Sequence, residues 1–264
     1  MKKISVVIIT RNESARLRQA LASVCALADE IIVVDDFSDD DTCLIAQKEF
    51  GARTFVHRSE RNLAGQRNFG ADQAAYDWIL QMDADEIFPP ATVAAIHQAL
   101  EEAGDIVAFS FMRLNHLAGC PVRHAGAYQS LLRLYRRDKA RYREPDVHDH
   151  LELQGGARLL AAEIHHFPFS TGSQMIERAL FYGEKESALF LAGRSAVSAR
   201  EIHDQLVWKA LKSFWKMYIK KRGYKDGLHG LVWCLCMVIG SQIRWIKIWE
   251  KARSEGKLVS GASI

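Results

Sequence analysis

The stretch that decides the fold class is residues 78–86, which read WILQMDADE. Its first five residues are mostly apolar and have the length of a strand buried on both faces of a sheet. Two carboxylates, Asp83 and Asp85, follow directly, one residue apart. A similar order occurs upstream, where residues 4–12 read ISVVIITRN and residues 30–36 read EIIVVDD. Ligands bind beyond the carboxyl ends of the strands in open α/β sheets, so we expect one binding site where these three strands end.

Strand and helix patterns alternate through the first 111 residues. Helical stretches with recognisable caps separate the apolar runs, for example Gly51 as the C-cap of a helix that begins near Asp41. Strands joined by helices of about 10–15 residues imply right-handed crossovers and a mostly parallel, Rossmann-like sheet flanked by helices. We predict strands at 4–9, 30–34, 53–57, 78–82 and 105–111, and helices at 14–25, 41–50, 63–76 and 90–103.

Composition and missing motifs exclude several classes of protein. The 264 residues are 48% hydrophobic and 25% charged, which is typical of a globular protein and argues against intrinsic disorder. No GxGxxG follows the first strand and no GxxxxGK[ST] is present, so a Rossmann dehydrogenase and a P-loop NTPase are not expected. The five cysteines are scattered and are expected to be free thiols in a reducing compartment. The short apolar run after the N-terminal lysines predicts a strand rather than a signal peptide.

The paired carboxylates Asp83 and Asp85 predict a metal site. Hard oxygen ligands from few side chains suit Mg²⁺ or Mn²⁺, which take their remaining ligands from water and a diphosphate. Asp35 and Asp36 end the second strand and bring more carboxylates to the same edge. A solvated acidic turn is the alternative interpretation of D-x-D, but the preceding apolar strand and the shared edge favour a metal–nucleotide site.

Several short motifs follow one another in an order shared with a known family. They are residues 5–13 (SVVIITRNE), 30–38 (EIIVVDDFS), 41–42 (DT), 66–68 (QRN), 78–86 (WILQMDADE), 133–137 (RLYRR), 147–149 (VHD) and 165–169 (HHFPF). In these motifs the chain resembles the inverting family 2 glycosyltransferases. The branch it resembles includes the lipopolysaccharide inner-core β-1,4-glucosyltransferases. The resemblance covers about residues 3–250 and implies a GT-A fold, in which a nucleotide-binding α/β half is fused to an acceptor half.

The resemblance also implies roles for single residues. Asp85 would be a direct ligand of Mg²⁺ or Mn²⁺, Asp83 would lie on the ribose or metal side, and Arg67 would lie near the diphosphate. Thr10 and Asp36 would contact the uracil or other nucleobase of the donor. The nucleotide-sugar-binding set is Thr10, Asn12, Asp36, Arg67 and Asp83.

The resemblance makes Asp149 the expected catalytic base. The branch usually has Val-His-Glu at this motif, whereas residues 147–149 here read Val-His-Asp. The shorter side chain leaves His150 and Asp146 as alternative candidates. Inverting transfer is a single displacement, which needs one carboxylate to remove the acceptor proton and one metal to stabilise the leaving diphosphate.

Four histidines lie close together in sequence, at positions 148, 150, 165 and 166. Neutral imidazole is a metal ligand, and His166 is the best candidate ligand or diphosphate contact, because the resembling branch tends to have a histidine before its aromatic–Pro segment. Histidines that line a loop without binding metal are the alternative. A closed zinc site is not expected, since the cluster contains no cysteine.

Residues 200–264 form a basic tail. They hold 13 Lys and Arg against 5 Asp and Glu, a balance of +8, whereas the preceding 199 residues have a balance of −5. Lysines 209, 212, 216 and 220 fall on one helical face opposite tryptophan and other apolar residues, which is typical of a helix in a membrane interface. The longest clean apolar run, 231–239, is too short to span a bilayer. A hairpin packed on protein or on a second subunit is the alternative, and no nucleic-acid module accompanies the lysines.

The sequence and the resemblance together predict a metal-dependent inverting glycosyltransferase. Its donor would be a nucleotide sugar, expected to be UDP-glucose. Its acceptor would be a lipid-linked glycan such as the lipopolysaccharide inner core, reached at the cytoplasmic face of an anionic membrane. The alternatives are a related transferase with a polyprenyl phosphate, capsule or protein acceptor, and a non-catalytic membrane-associated binding module; homo-oligomers stay open. The expected domains are 1–199, with a nucleotide-sugar half at 1–111 and an acceptor half at 112–199, followed by the tail 200–264.

Overall fold

Apolar, β-branched residues fill the first strands and lie inside a sheet. The structure is a computed structural model that describes residues 2–59, 62–144 and 150–259. The parallel part of this sheet has the order β3-β2-β1-β4. Its strands alternate with helices along the chain. They are β1 (Ile4–Thr10), α1 (Ser14–Val24), β2 (Glu30–Asp35), α2 (Thr42–Phe50), β3 (Arg53–Val56), α3 (Leu63–Asp72) and β4 (Trp78–Asp83).

Antiparallel strands continue the sheet beyond β4, in the order β8-β6-β11-β5. β8 pairs antiparallel with both β4 and β6, and β11 pairs antiparallel with β5. The elements of this part are β5 (Glu86–Ile87), α4 (Pro90–Glu101), β6 (Ile106–Leu117), β7 (Cys120–Val122), β8 (Gln129–Arg136), β9 (Ala140–Tyr142), β10 (Leu151–Leu153) and β11 (Gly156–Phe169). β9 and β10 form a separate antiparallel pair.

The described residues of Met1–Leu114 and Gln129–His166 form one compact unit, here called unit 1. Two apolar clusters hold it together, one containing α1 and α4 and the other containing α3 and β9. Helix α3 lies so close to β1 that a Cβ on Gly70 would come within 2.5 Å of a Val7 methyl carbon. Glycine at this position therefore permits the close approach. That close approach sets the height of α3 above the sheet, and Arg67 and Asn68 are on this helix.

The predicted α/β fold with flanking helices is confirmed for unit 1. Strands at 4–9, 30–34 and 78–82 are found within a residue of the prediction, and Gly51 ends α2 in a left-handed conformation with a φ of 62°. Helix α3 ends at Asp72 rather than at residue 76. Strand β6 extends to Leu117, well beyond the predicted end at residue 111.

The described residues of Asn115–Tyr128 and Phe167–Ile264 form a second compact unit, unit 2. It contains the end of β6 paired with β7, and the long helices α5 (Gly172–Ala192) and α8 (Gly227–Ser254), which pack on each other. The shorter elements are β12 (Val197–Ser198), α6 (Ala199–Asp204), a π-helical turn (Gln205–Lys209), α7 (Ala210–Trp215), a second π-helical turn (Lys216–Lys220) and β13 (Leu258–Val259). The proposed functional boundary at residue 199 stays a prediction.

Within the tail, apolar side chains divide into a packed row and an exposed row. Phe214, Met217 and Tyr218 pack against a buried cluster that contains Trp233. The exposed row consists of Val207, Trp208, Leu211, Trp215 and Ile219, and the lysines at 209, 212, 216 and 220 are exposed beside it. The tail is therefore both a packed helical assembly and a surface on which apolar and basic side chains alternate.

The segment Gly223–Ser254 is long and apolar enough to cross a membrane, with a mean hydropathy of 1.4 over its most apolar stretch, of which 22% is buried. This length differs from the prediction made from the clean apolar run 231–239, which is too short to span a bilayer. By itself this is weak support for a spanning helix, since core helices of soluble proteins have the same length and composition. One side of α8 contributes Trp233, Cys234, Trp245 and Ile248 to the core of unit 2.

Candidate active site

The acidic turn after β4 is closed by its own last residue. Asp83 ends β4, and the buried carboxylate of Glu86 accepts a hydrogen bond of 3.1 Å from the backbone N–H of Asp83. This bond folds residues 83–86 into a tight turn between β4 and β5. Glu86 therefore shapes the turn that presents Asp85.

Two buried arginines hold the carboxylate of Asp83. Arg67 of α3 donates from Nη2 to Oδ1 at 2.9 Å, and Arg133 of β8 donates to Oδ2. Burial alone would raise the pKa of Asp83, but the guanidinium groups of Arg133 and Arg67 outweigh it and hold that pKa well below its usual range. Asp83 therefore remains a carboxylate and keeps both arginines oriented.

For Glu86, the effects of burial and of neighbouring charges on the pKa have the opposite net result. Its side chain is completely buried and accepts a hydrogen bond of 2.6 Å from Arg133. Burial raises the pKa of Glu86, and the charge of Asp83 adds to that rise, so that the attraction of Arg133 does not compensate for it. For Arg133, burial would lower the pKa, but Asp83 and Glu86 raise it well above its usual value.

Asp85 and His166 come together although they are far apart in sequence. Strand β11 pairs with β5 so that His166 lies opposite Glu86, one residue after Asp85. The Nε2 atom of His166 lies 3.3 Å from Oδ2 of Asp85, and each side chain is 14% exposed. These two residues are the ones expected to bind metal, and the sheet register brings them into contact.

The donor chemistry of this pair fits a divalent cation held by few protein ligands. One carboxylate and one imidazole leave most of the coordination positions to water and a diphosphate, as Mg²⁺ and Mn²⁺ prefer. Within residues 2–59, 62–144 and 150–259, no group of three or more His, Cys, Asp or Glu side chains is arranged to hold a metal ion. A closed cage is therefore not present in the described part, whereas an open site at Asp85 and His166 is compatible with it.

The expected nucleotide contacts line the ends of β1 and β2. Thr10 donates its hydroxyl hydrogen to the buried Asp35 at 3.1 Å, and the backbone N–H of Asp36 donates to the carbonyl oxygen of Thr10 at 2.9 Å. Asp36 accepts from the N–H and the hydroxyl of Ser59 and lies 3.5 Å from the guanidinium of Arg11. Burial opposes ionisation, but the Ser59 hydrogen bonds and the nearby arginines lower the pKa of Asp36.

Asn12 connects the loops that follow β1 and β2. It has a left-handed backbone with a φ of 55°; its N–H donates to the hydroxyl of Ser38 at 2.8 Å, and its Oδ1 accepts from the N–H of Asp39 at 3.0 Å. Phe37 is also left-handed and exposed, and the guanidinium carbon of Arg58 lies 4.8 Å from the centre of its ring. The loops at this edge are thus held by local polar contacts and leave an aromatic ring exposed.

Asn68 ties α3 to β9. Its Oδ1 accepts from the N–H of Tyr142 at 3.0 Å, and its Nδ2 donates to the carbonyl oxygen of Tyr142 at 2.9 Å and to Glu144 at 2.6 Å. The guanidinium carbon of Arg67 lies 5.4 Å from the centre of the Tyr142 ring. The QRN motif thus places Arg67 against the acidic turn and Asn68 against β9.

The expected base, Asp149, and its alternative Asp146 lie outside the described residues. The other alternative, His150, is described and exposed; its carbonyl oxygen accepts from the N–H of Arg143 at 2.9 Å. The assignment of Asp149 therefore stays a prediction.

Three charged residues at or near this centre were not predicted from the sequence: Glu86, Arg133 and Arg113, whose guanidinium interacts electrostatically with Arg133 and with the carboxylates of the acidic turn. Arg133 was quoted only as part of a motif, because an arginine in a strand is usually a surface residue, yet it is 2% exposed. An arginine between leucines, as in LLRLYR, is the signal that could have identified it. Nothing in the sequence distinguishes Arg113 from a surface arginine.

Comparison with known proteins identifies the family. The model of the family described as "Glycosyl transferase family 2" matches residues 5–152, more than half of the chain. The chain belongs to this family. It is 27% identical over 262 residues to an uncharacterized glycosyltransferase of Rickettsia felis, covering 95% of this chain and 90% of that protein.

Two further likenesses cover nearly the whole chain. The chain is 25% identical over 255 residues to the lipopolysaccharide core biosynthesis glycosyltransferase LpsC of Rhizobium meliloti, covering 94% of this chain and 92% of that protein. Among solved structures, the chain resembles S. aureus TarS 1–349 in complex with UDP, with a TM-score of 0.45 and 12% identity, covering 99% of this chain and 94% of that one. The expected enzyme class, a glycosyltransferase, is confirmed by the family.

Proposed function

We propose that this glycosyltransferase moves a sugar from a nucleotide-sugar donor, with inversion, in a reaction that needs a divalent cation. The observation that carries the proposal is the contact between Asp85 and His166 beside the arginine-bound Asp83, in a chain of glycosyltransferase family 2. The site lies at the carboxyl end of β4, next to β1, whose own end carries Thr10. This edge is where α/β sheets bind nucleotides.

Each described residue of the site has one task in the proposed reaction. Asp85 and His166 would hold Mg²⁺ or Mn²⁺, and the cation supplies positive charge that stabilises the departing nucleoside diphosphate. Asp83 and Glu86 keep the guanidinium groups of Arg67 and Arg133 oriented before the substrate binds, so that little reorganisation is needed. The nucleobase of the donor would be bound at the ends of β1 and β2.

The acceptor end of the reaction needs a general base, for which we propose Asp149. Asp149 would take the proton of the acceptor hydroxyl as that oxygen attacks the anomeric carbon, while the bond to the diphosphate breaks. One displacement inverts the configuration at that carbon. The donor sugar is proposed to be glucose, carried by UDP.

The proposed acceptor is a lipid-linked glycan of the lipopolysaccharide inner core. The likeness to LpsC, named for lipopolysaccharide core biosynthesis, supports this class because it extends over 94% of the chain. Unit 2 adds a surface suited to such an acceptor, where Trp208 and Trp215 are 63% and 49% exposed beside lysines. We therefore place the enzyme on the cytoplasmic face of an anionic membrane, with a polyprenyl phosphate, capsule or protein acceptor as the alternative.

A donor screen tests the proposed function. The purified chain is incubated with Mn²⁺ and a panel of nucleotide sugars, and transfer to truncated lipopolysaccharide is followed by mass spectrometry, with binding of UDP measured by calorimetry. We expect transfer from one donor, abolished by EDTA and restored by Mn²⁺. Asp85→Asn should weaken binding of UDP with Mn²⁺ by at least the roughly 10–100-fold typical of a lost metal-site partner.

The control for Asp85→Asn is Asp138→Asn, which removes the same charge from an exposed ion pair with Arg136. This control should bind and transfer like the parent. Binding of UDP with Mn²⁺ but no transfer from any donor would favour the non-catalytic module. Neither binding nor transfer by the parent would refute the proposed function.

A further inference from the structure

Among the residues that the structure describes, Arg113 is a cation near the centre whose buried Nε has no partner. It is half-buried on β6, and among residues 2–59, 62–144 and 150–259 its Nε atom is buried and has no hydrogen-bond acceptor. No ion pair of Arg113 is found in that part of the chain either. A buried guanidinium N–H that gives up water without gaining an acceptor destabilises the folded state. Other arginines of the described residues also have a buried Nε without an acceptor, so the position of Arg113 must supply the explanation.

The neighbouring charges make the position of Arg113 informative. Strand β6 lies between β8, which carries Arg133, and β11, which carries His166. Burial lowers the pKa of Arg113 and the charge of Arg133 adds to that effect, while the carboxylates around the acidic turn oppose it. These interactions show that Arg113 lies within the electrostatic field of the centre. It nevertheless remains protonated, because arginine cannot lose its proton under ordinary conditions.

The carboxylates of the acidic turn, residues 83–86, already have partners in the protein. Asp83 accepts from Arg67 and Arg133, and Glu86 accepts from Arg133. Asp85 is in contact with His166 and is the expected metal ligand. Arg67 and Arg133 are therefore paired with carboxylates of the centre, whereas the described residues offer the Nε of Arg113 no acceptor.

We propose that Arg113 binds phosphate oxygens of a substrate at the Asp85–His166 centre, a role that rests on the proposed function. The planar guanidinium presents parallel N–H donors that match two oxygens of a phosphate, and such charge-assisted pairs are strong and directional. Two sources supply this chemistry: the diphosphate of the donor, or a phosphate group carried by the acceptor glycan. Binding of either would satisfy the donors that the folded protein leaves unpaired.

The variant Arg113→Gln separates this role from a structural one. Its matched control is Arg158→Gln. Arg158 is also half-buried on a sheet strand, its buried Nε has no acceptor in the described part of the chain, and its guanidinium lies over Phe109. Arg158 is eight residues from His166 on β11, roughly 26 Å along the strand. Both variants should have a Tm equal to or above that of the parent. Only Arg113→Gln should lose transfer, by roughly 10- to 100-fold in kcat/KM, as for a lost hydrogen bond to a charged group.

Two measurements on Arg113→Gln, donor binding and the acceptor KM, identify the source of the phosphate. If it is the donor diphosphate, Arg113→Gln weakens calorimetric binding of UDP with Mn²⁺ and reduces the rise in Tm that this ligand causes. If it is an acceptor phosphate, donor binding is unchanged. In that case the acceptor KM rises for truncated lipopolysaccharide but not for the same acceptor after dephosphorylation. Arg113→Lys, which keeps the charge without the planar fork, should recover only part of the loss in either case.

Three results decide the inference. Transfer by Arg113→Gln equal to that of the parent overturns it and leaves the proposed function intact. A clearly lower Tm without ligand, with donor and acceptor binding unchanged, also overturns it, because Arg113 would then be a structural residue. A parent that neither binds UDP with Mn²⁺ nor transfers sugar overturns the proposed function, and this inference with it.

Discussion

At the scale of single residues, three neighbouring carboxylates of one turn have three different environments. Asp83 is held ionised by two arginines, Glu86 is buried with a raised pKa, and Asp85 meets an imidazole. Their chemical types are nearly identical, so the surroundings decide what each can do. Only Asp85 combines partial exposure with a second potential metal ligand, which is why we assign the cation to it.

The base is the residue for which the sequence offers the most alternatives. Asp149→Asn should leave binding of UDP with Mn²⁺ unchanged and reduce kcat by roughly 10²–10⁴-fold, the usual contribution of a general base. His150→Gln, the control at the adjacent position, should keep most of the activity. Steady-state transfer and calorimetric donor binding measure both. If Asp149→Asn retains full activity while His150→Gln or Asp146→Asn loses it, the base is reassigned to that residue.

Much of the candidate site follows from sequence, but its charge pairing does not. Asp85 and His166 were each expected at a metal, because of a motif and a resemblance. Their contact depends on the pairing of β11 with β5 across about 80 residues of chain, which no local pattern specifies. Arg133 was missed because its burial is possible only through Asp83 and Glu86. Electrostatic partners of this kind are set by tertiary structure.

At the scale of elements, the parallel strands were predictable, whereas of the antiparallel strands only the first part of β6 was predicted. Strands β1, β2 and β4 are buried on both faces, so their sequences are continuous apolar runs. Strand β11 alternates exposed, buried and half-buried residues and carries two histidines near its end. Its sequence, GARLLAAEIHHFPF, therefore lacks the uniform apolar character that identified the earlier strands.

One carboxylate fixes the first turns of two helices. Asp40 accepts from the N–H of Ser14 at 3.1 Å, at the start of α1, and from the N–H of Thr42 at 3.0 Å, at the start of α2. Burial opposes ionisation, but the hydrogen bonds from Thr42 and Ser14 together outweigh it and lower the pKa of Asp40 from 3.8 to about 2. Because the folded-state pKa is depressed, the ionised group stabilises the fold above the unfolded pKa, and that contribution disappears as the pH falls toward 2.

Asp40→Asn should therefore lower the free energy of unfolding relative to the parent above about pH 4, and the difference should shrink between pH 4 and pH 2. The control is Asp39→Asn, because the backbone N–H of Asp39, which the substitution keeps, donates to Asn12. Urea unfolding at a series of pH values measures both. A difference for Asp40→Asn that does not change with pH would contradict the prediction.

At the scale of the whole molecule, charge is distributed unevenly along the chain. The last 65 residues are basic and the preceding 199 are acidic, with a total of +3. The exposed row Val207, Trp208, Leu211, Trp215 and Ile219 lies among lysines of the basic part. Apolar side chains inserted at the level of lipid headgroups, with ammonium groups beside them, are typical of interfacial helices.

Replacing Lys209, Lys212, Lys216 and Lys220 together by Gln should weaken binding to anionic vesicles. Each lysine near such a surface contributes about 1 kcal/mol, and salt screens this contribution beyond about 8 Å at physiological ionic strength. Vesicle cosedimentation at low and high salt measures the loss, and tryptophan emission should still shift to the blue because Trp208 and Trp215 remain.

The matched control changes Lys2, Lys3, Lys48 and Lys139 of unit 1 to Gln, which removes the same charge from elsewhere. It should bind vesicles as the parent does. Activity on a soluble acceptor fragment should be unchanged in both variants, since these lysines are outside the centre. Equal vesicle binding by the parent and both variants, with no change in tryptophan emission, would show that the exposed row contacts protein rather than lipid.

The interleaved order of the two units has a consequence for synthesis on the ribosome. Strand β6 is made before its sheet neighbour β11, and a ribosome that adds about 5–20 residues per second needs roughly 2.5–10 s to proceed from Ile106 to Gly156, the first residues of the two strands. During that time the nascent chain exposes an unpaired strand edge. The apolar side chains of Leu117 and Val122 lack their packing partners for longer still, until Trp233 and Cys234 are synthesised. Chaperone demand should therefore be greatest midway through translation, and substitutions near β11 should reduce cellular yield more than they reduce the stability of the finished protein.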